Sequence, residues 1–446
     1  MTTLWVSDIL VIIFGAKMKY KQYNHSCGAK ILYVKNRLNH STNINIQFNG
    51  GAMKEKISGL AHLTEHMFFA GTDSLDKKAI SKKYFDFISV NAITTIRNIV
   101  FMGNIFTEEL TAYIDTVVEM ITKSTFDTKR INEEKKVVYQ EMKQNVDDYS
   151  YMSNLTDSSM IYGHDFINNS VIGNKQSVSK IKREDILDFV RSFFVANNAE
   201  IVICTPLSLS KVKRIVNDHL IKSLPSVDNF EPIGIQMYES KDFNYYQVEY
   251  KDIDKVYLYF SFKFDSNMYD LDTVYKANTI KYMLNNYSTG LNKMLRLDRH
   301  LVYSCAFMTT FMKETALIRL ETECEKKNVN EVIKVVAEYI NNIKEKGFTA
   351  EELKYAKRIY RHSETTKVDT IKRVMNKLIE YDYFGKIVDS KKYMKIALDT
   401  DLDEYNQLAR DIFNFKNVGI TVYGNIKKSE ALKQSEIDRL FAKRKS

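Results

Sequence analysis

Eight histidines occur in 446 residues, and two of them stand four apart in His62-Leu-Thr-Glu65-His66. The stretch is rich in Leu, Ala, Met, Phe and Glu, contains no proline and lies between Gly59 and Gly71. That composition predicts a short helix, with Ser58 as its N-cap and Gly71 as its stop. Positions i, i+3 and i+4 of a helix share one face, so His62, Glu65 and His66 point into one small volume. Two imidazoles in that relation can reach one Zn²⁺ at about 2.0–2.1 Å. The glutamate beside them could take a proton from water. Such a pattern arises by chance in roughly one chain in a hundred of this composition. The flanking Leu60, Ala61, Leu63, Met67, Phe68 and Phe69 are apolar. Burying two histidines and a glutamate among them without partners is costly, and a metal removes that cost.

A hydrolytic zinc site needs a third protein ligand and keeps a fourth position for water. One candidate lies in a second helical stretch, Ile131 to Asp148, where Glu134 and Glu141 stand seven apart on one face. Glu141 is then the third ligand, and Glu134 a carboxylate that orients one of the histidines. On spacing alone, a solvated acidic face is the commoner meaning of such a pair.

The longer string His62-Leu-Thr-Glu-His66-Met-Phe-Phe-Ala-Gly71-Thr72 resembles the insulinase/pitrilysin family of inverted-zinc peptidases, which includes the mitochondrial processing peptidase. Glu134-Lys-Lys-Val137-Val-Tyr-Gln-Glu141 is similar to the family's E-x-x-x-V-x-x-E, whose last glutamate is the third ligand. "NAITT", starting at Asn91, resembles a strand that holds substrate backbone, which implies substrate-binding roles for Asn91 and Ala92. Ile99 and Phe101 stand where the family tends to have Thr and Tyr. "LRLDRHLVYSC" keeps an Arg296/Tyr303 pair, with Leu297 and His300 in place of the usual Glu and Gly. The resemblance implies that this pair binds the substrate carbonyl and stabilises the oxyanion, a task suited to a guanidinium and a phenol. His164 and Gly173 fit structural positions of the family.

These groups must be held by more than one core. A chain of 446 residues is expected to form at least two domains. Hydrophobic residues make up 44% and charged ones 27%, ordinary for a globular protein. The net charge of +9 is spread along the chain, and no Arg-rich run is interleaved with aromatics, so nucleic acid is not an expected partner. The four cysteines lack C-x-x-C spacing and read as buried free thiols of a reducing compartment. Leu4 to Ala16 is apolar but too short to span a bilayer. It lacks the preceding basic residues of a signal peptide, so residues 1–17 read as an extension. The expected location is cytoplasmic, with export through that apolar segment as the alternative.

All three prolines fall between Pro206 and Pro232, which marks a linker at 219–238 between a zinc-binding domain, 18–218, and a second domain, 239–446. The halves repeat. Asn198, Ile201 and Ile203 match Asn417, Ile420 and Val422 at a constant offset of 219, and Phe126 matches Phe348. "NINIQF" and "KVYLYFSFKF" alternate as half-buried strands should. The expected class is α+β: two homologous α/β sandwich domains, each a mostly antiparallel sheet covered by helices. In the Phe126/Phe348 register, Ser363 falls where Glu141 stands in the first half. One zinc per chain is therefore expected, on His62, His66 and Glu141, with Glu65 as base. The resemblance also implies a homodimer, or a heterodimer with a related chain, in which Arg296 and Tyr303 come from the subunit opposite. The function expected is a zinc endopeptidase acting on peptides or unfolded segments. The alternatives are a catalytically silent subunit and a dedicated processing peptidase for one product.

Overall fold

The computed structural model describes residues 8–13, 16–36, 40–87, 89–162, 171–227, 243–311, 316–365, 375 and 389–441. His164, Pro232 and much of the expected linker lie outside them. By contacts the chain forms two compact units, Met1–Asp147 with Asn168–Gln236 and Asp369–Val388, and Asp148–Ile167 with Met237–Val368 and Asp389–Ser446.

The first unit contains a seven-stranded sheet in the order β1-β2-β3-β7-β4-β6-β5. The strands are β1 (Asp8–Ile13), β2 (Ala16–Asn24), β3 (Lys30–Lys35), β4 (Ser41–Asn49), β5 (Ser89–Thr94), β6 (Asn98–Phe106) and β7 (Ala199–Thr205). Only β3 and β7 pair in parallel. In β4, Ile44, Ile46 and Phe48 enter the core on alternate positions. β5 is an edge strand, with Asn91 exposed and Ala92 buried. Ile99 and Phe101 lie on β6 and are fully buried. Their departure from the family pattern therefore changes core packing one strand inside the edge.

The second unit repeats the plan with five strands in the order β10-β11-β9-β12-β8. They are β8 (Tyr245–Tyr250), β9 (Val256–Phe264), β10 (Val302–Phe311), β11 (Ala316–Cys324) and β12 (Val418–Gly424). β12 is parallel to β8 and antiparallel to β9, as β7 is to β3 and β4. All seven residues of β7 and of β12 are buried. Their first residues, Ala199 and Val418, are 219 apart, the offset of the sequence repeat.

β9 differs from the half-buried strand that its alternation suggested. Val256, Leu258, Phe260, Phe262 and Phe264 face the unit's hydrophobic core. On the opposite face, Tyr259 and Ser261 are buried as well, because the helix Tyr149–Tyr162 covers them. Ser153 of that helix bonds the Tyr259 hydroxyl at 2.8 Å. Asp157, fully buried, accepts from Thr421 at 2.8 Å, Tyr245 at 3.1 Å and Arg319 at 3.3 Å. This network meets the requirement that a buried charge be paired and hydrogen-bonded.

Candidate metal centre

The helix bearing the two histidines is α1, Leu60–Phe68. Leu60, Ala61, Leu63, Thr64, Met67 and Phe68 are buried, which leaves His62, Glu65 and His66 on the more open face. Its N-cap is Gly59, not Ser58. Gly59 has φ 88° and packs against Gly173, where an added Cβ would lie 3.2 Å from the Gly173 Cα. A side chain at Gly59 would meet both a steric barrier and an unfavourable φ. The capping acceptor comes from outside the helix. The Glu55 carboxylate accepts from the Gly59 N–H at 2.7 Å and the Ala61 N–H at 2.8 Å. Burial pushes the Glu55 carboxyl up to about 8, against the pull of these bonds. The helix ends at Phe68, three residues before Gly71.

The helix α4, Thr128–Asp147, lies against α1 and is anchored by buried Ile131 and Val138. It brings Glu141 to the histidines. Glu141 Oε2 lies 3.7 Å from His62 Nε2 and 3.5 Å from His66 Nε2. One donor atom from each of the three residues can be chosen so that all lie within 4.8 Å of one another. Ligand atoms at about 2.0–2.1 Å from a tetrahedral zinc are roughly 3.4 Å apart, close to the 3.7 and 3.5 Å that separate Glu141 Oε2 from the two imidazoles. The imidazole rings stand 4.7 Å apart, at 71° to one another. Glu134 Oε2 lies 3.5 Å from His66 Nδ1, the ring nitrogen facing away from Glu141. Lys77 in turn pairs with Glu134. This ordering of carboxylate, histidine and ligand cluster is the one that fixes imidazole orientation at metal sites.

The charges have local causes. Burial draws the His66 imidazole down, but the Glu134 and Glu141 carboxylates outweigh it and push it up to about 9. Burial and the neighbouring His66 hold His62 down at about 4. Glu141 is lowered, chiefly by its bond to His66. Burial raises the Glu65 carboxyl, while a 2.5 Å hydrogen bond from Thr94 Oγ1 opposes the rise. Thr94 ends β5, so the proposed base is tied directly to the sheet edge. The Asn91 carbonyl on that strand accepts from the Tyr84 hydroxyl at 2.9 Å.

The second unit holds Arg296 and Tyr303. Arg296 lies on a π-helical turn, Lys293–Asp298, and its guanidinium stacks 4.9 Å from the Tyr303 ring centroid. Tyr303 is 75% exposed. His300, between them, has φ 52°, a conformation that glycine adopts more readily, and its Nδ1 lies 3.1 Å from the Arg296 carbonyl. Sequence reasoning missed Glu55, Lys77 and Thr94. Lys77 and Thr94 reach Glu134 and Glu65 across tertiary contacts, although Thr94 itself stands in "NAITT", whereas Glu55 caps α1 from only four and six positions before the amides it binds.

The expectation of four buried thiols needs correction. Cys204 and Cys324 are buried, whereas Cys27 and Cys305 are only partly so. Among the described residues, no helix is long and apolar enough to cross a membrane.

The chain is similar to known proteins across both halves. The model described as Insulinase (Peptidase family M16) matches residues 30–173, and that described as Peptidase M16 inactive domain matches 180–360. A Helicobacter pylori protein named "Non-peptidase homolog YmxG" is 24% identical over 80% of this chain and 82% of its own. The Bacillus subtilis "Uncharacterized zinc protease YmxG" is 22% identical over 88% of this chain and 95% of its own. Among solved structures, a protease from Helicobacter pylori superposes with a TM-score of 0.79 at 16% identity, covering 91% of this chain and 99% of that one. Pitrilysin superposes with a TM-score of 0.72 at 15% identity, covering 98% of this chain and 50% of that one. Matched family models across both halves, the two-sheet fold and the histidine–glutamate cluster together make this chain a member of the insulinase family, peptidase family M16.

Proposed function

We propose that the protein is a zinc-dependent endopeptidase. The observation that carries this reading is the three-ligand cluster of His62, His66 and Glu141, whose donor atoms lie within 4.8 Å of one another, with Glu65 on the same helix face. Zinc held there supplies Lewis-acid activation of water and of the scissile carbonyl. Glu65 accepts the proton of the attacking water and returns it to the leaving amine, and its burial suits it to both transfers. Thr94 holds that carboxylate in place. β5 has a strand partner on one side only, so an extended peptide can add along Asn91 and Ala92 through main-chain bonds. Arg296 and Tyr303 act as oxyanion donors, contributed by the opposite subunit of a homodimer or of a heterodimer with a related chain. Relatives named as beta subunits of the mitochondrial-processing peptidase support the idea of partnered subunits. Four free cysteines support a reducing location such as the cytoplasm.

A second reading is a non-peptidase subunit that keeps the ligands. It is favoured by Leu297 and His300 within the Arg296/Tyr303 segment, and by the name of the Helicobacter pylori relative. Zinc content and cleavage of a mixed peptide library, with Glu65→Gln alongside, separate the two. The peptidase reading expects about one zinc per chain in both proteins and a rate in Glu65→Gln lower by roughly a hundred- to ten-thousandfold. Zinc without cleavage in the wild type, over a broad library and with dimer present, overturns it in favour of the silent subunit.

A further inference from the structure

Away from the metal centre, the turn between β2 and β3 carries a second reactive constellation. Cys27 Sγ lies 3.1 Å from His25 Nδ1. On the other side of the ring, His25 Nε2 lies 3.2 Å from Asn217 Oδ1. The Cys27 backbone N–H also points at His25 Nδ1, at 3.2 Å. A nitrogen that accepts from a backbone amide carries no hydrogen, so the tautomer is assigned: Nε2 holds the proton and donates it to Asn217. The Asn217 amide is oriented independently, because its Nδ2 donates to Asp218 Oδ1 at 2.9 Å. Asn217 itself sits on a π-helical turn, Val216–Leu220, a local irregularity often found at functional positions. Tyr23 packs edge-on to the imidazole with ring centroids 6.4 Å apart.

A thiol, a base able to take its proton and a third group fixing the base form the general arrangement of an activated cysteine nucleophile. Access is present as well. Cys27 is partly exposed, and its neighbours Ser26 and Gly28 are exposed. Gly28 has φ 104°, which lets the turn fold back so that its N–H donates to the His25 carbonyl at 2.9 Å. The other three cysteines provide an internal control. Burial pushes Cys204, Cys305 and Cys324 up to about 12.

We propose that Cys27 is a reactive thiol, activated by His25 and Asn217, that takes low-molecular-weight disulfides as a mixed disulfide. His25 Nδ1 accepts the thiol proton and in doing so gives up its bond from the Cys27 backbone N–H. The Cys27 thiolate attacks one sulfur of the small disulfide, a new S–S bond forms and the old one breaks. The displaced thiolate leaves and recovers the proton from His25. One disulfide is consumed and one formed, so no other oxidant is needed. This site stands independently of the peptidase reading, and its test involves no cleavage assay.

The experiment is the reaction of the full-length protein with 4,4′-dithiodipyridine, followed by release of thiopyridone at neutral pH and compared with N-acetylcysteine. One thiol should react about tenfold faster than the free compound. Mass mapping at limiting reagent should place it at Cys27, and oxidised glutathione should leave its adduct at the same residue. Cys27→Ser should remove the fast phase, and His25→Gln should slow it about tenfold, with a smaller loss in Asn217→Ala. A wild-type Cys27 that reacts no faster than N-acetylcysteine overturns the proposal, whatever the variants do. So does a folded His25→Gln protein that reacts at the wild-type rate.

Discussion

The two sheets of this chain share one plan and differ in what they carry. β3, β7, β4, β6 and β5 of the first unit correspond in order and direction to β8, β12, β9, β11 and β10 of the second. Between β4 and β5 lies α1 with His62, Glu65 and His66. Between β9 and β10, the helix Leu271–Leu284 contains neither histidine nor glutamate. Glu141 has its counterpart in Ser363, whose hydroxyl is turned back onto the Tyr360 carbonyl at 2.9 Å. Even the edges diverge. β5 ends in Thr94, which holds the proposed base, while β10 begins with the Val302-Tyr303 pair. The framework is set by strands buried on both faces, which tolerate little change. The chemistry lies in a few side chains on one helix face, which can be exchanged without disturbing the core.

This comparison can be broken most sharply at the ligand positions. Glu141→Ser should abolish stoichiometric zinc binding, since two imidazoles alone do not complete the site. Ser363→Glu should gain no second zinc, because Leu271–Leu284 carries no histidine and places Tyr282 against Ser363. A second equivalent of metal by elemental analysis would show the halves to be closer in chemistry than the side chains indicate.

The shared framework is tested next. Ile201 on β7 and Ile420 on β12 are repeat partners with 0% and 1% exposure. Each changed to Ala should cost about 2–5 kcal/mol, read by urea denaturation. A large loss at one and almost none at the other would mean that the two sheets are not equivalent load carriers.

The smallest effect concerns protons. In the metal-free protein His66, pushed up to about 9, is charged at neutral pH, whereas His62, held down at about 4, is not. Binding zinc must therefore release one proton from His66. Zinc affinity should rise about tenfold per pH unit from neutrality and level off near pH 9. Calorimetry in two buffers of different ionisation enthalpy measures that proton directly. An affinity independent of pH across this range would refute the assignment.

Much of this was legible in the chain. The H-x-x-E-H spacing follows helical geometry, so His62, Glu65 and His66 could be placed together before any fold was known, whereas Glu141 is singled out by the family resemblance because its spacing from Glu134 alone reads as a solvated face. The offset of 219 exposed the repeat because β7 and β12 are both wholly buried and keep the same apolar run. What escaped was set by partners that helical spacing does not reach. Glu55 caps α1 from a preceding turn, and Ser58, the nearer residue of capping type, leaves its Oγ without a bond. The second buried face of β9 depends on a helix about a hundred residues earlier. Cys27 reads only as a buried free thiol because Asn217, which fixes the adjacent His25, lies 192 positions from that histidine.

That covering helix, Tyr149–Tyr162, bears on modularity. A single residue, Asp148, separates it from α4, which carries Glu141 in the first unit. The helix itself belongs to the second unit, where Asp157 neutralises Arg319. The boundary of the sequence repeat and the boundary of the folded bodies are thus two different lines along the chain. A gene cut at the proline-rich segment would yield one piece with a surplus helix and another in which Arg319 keeps only Glu321 as its ion-pair partner on an uncovered sheet face. The cover of the second sheet is thus encoded within the first half of the repeat.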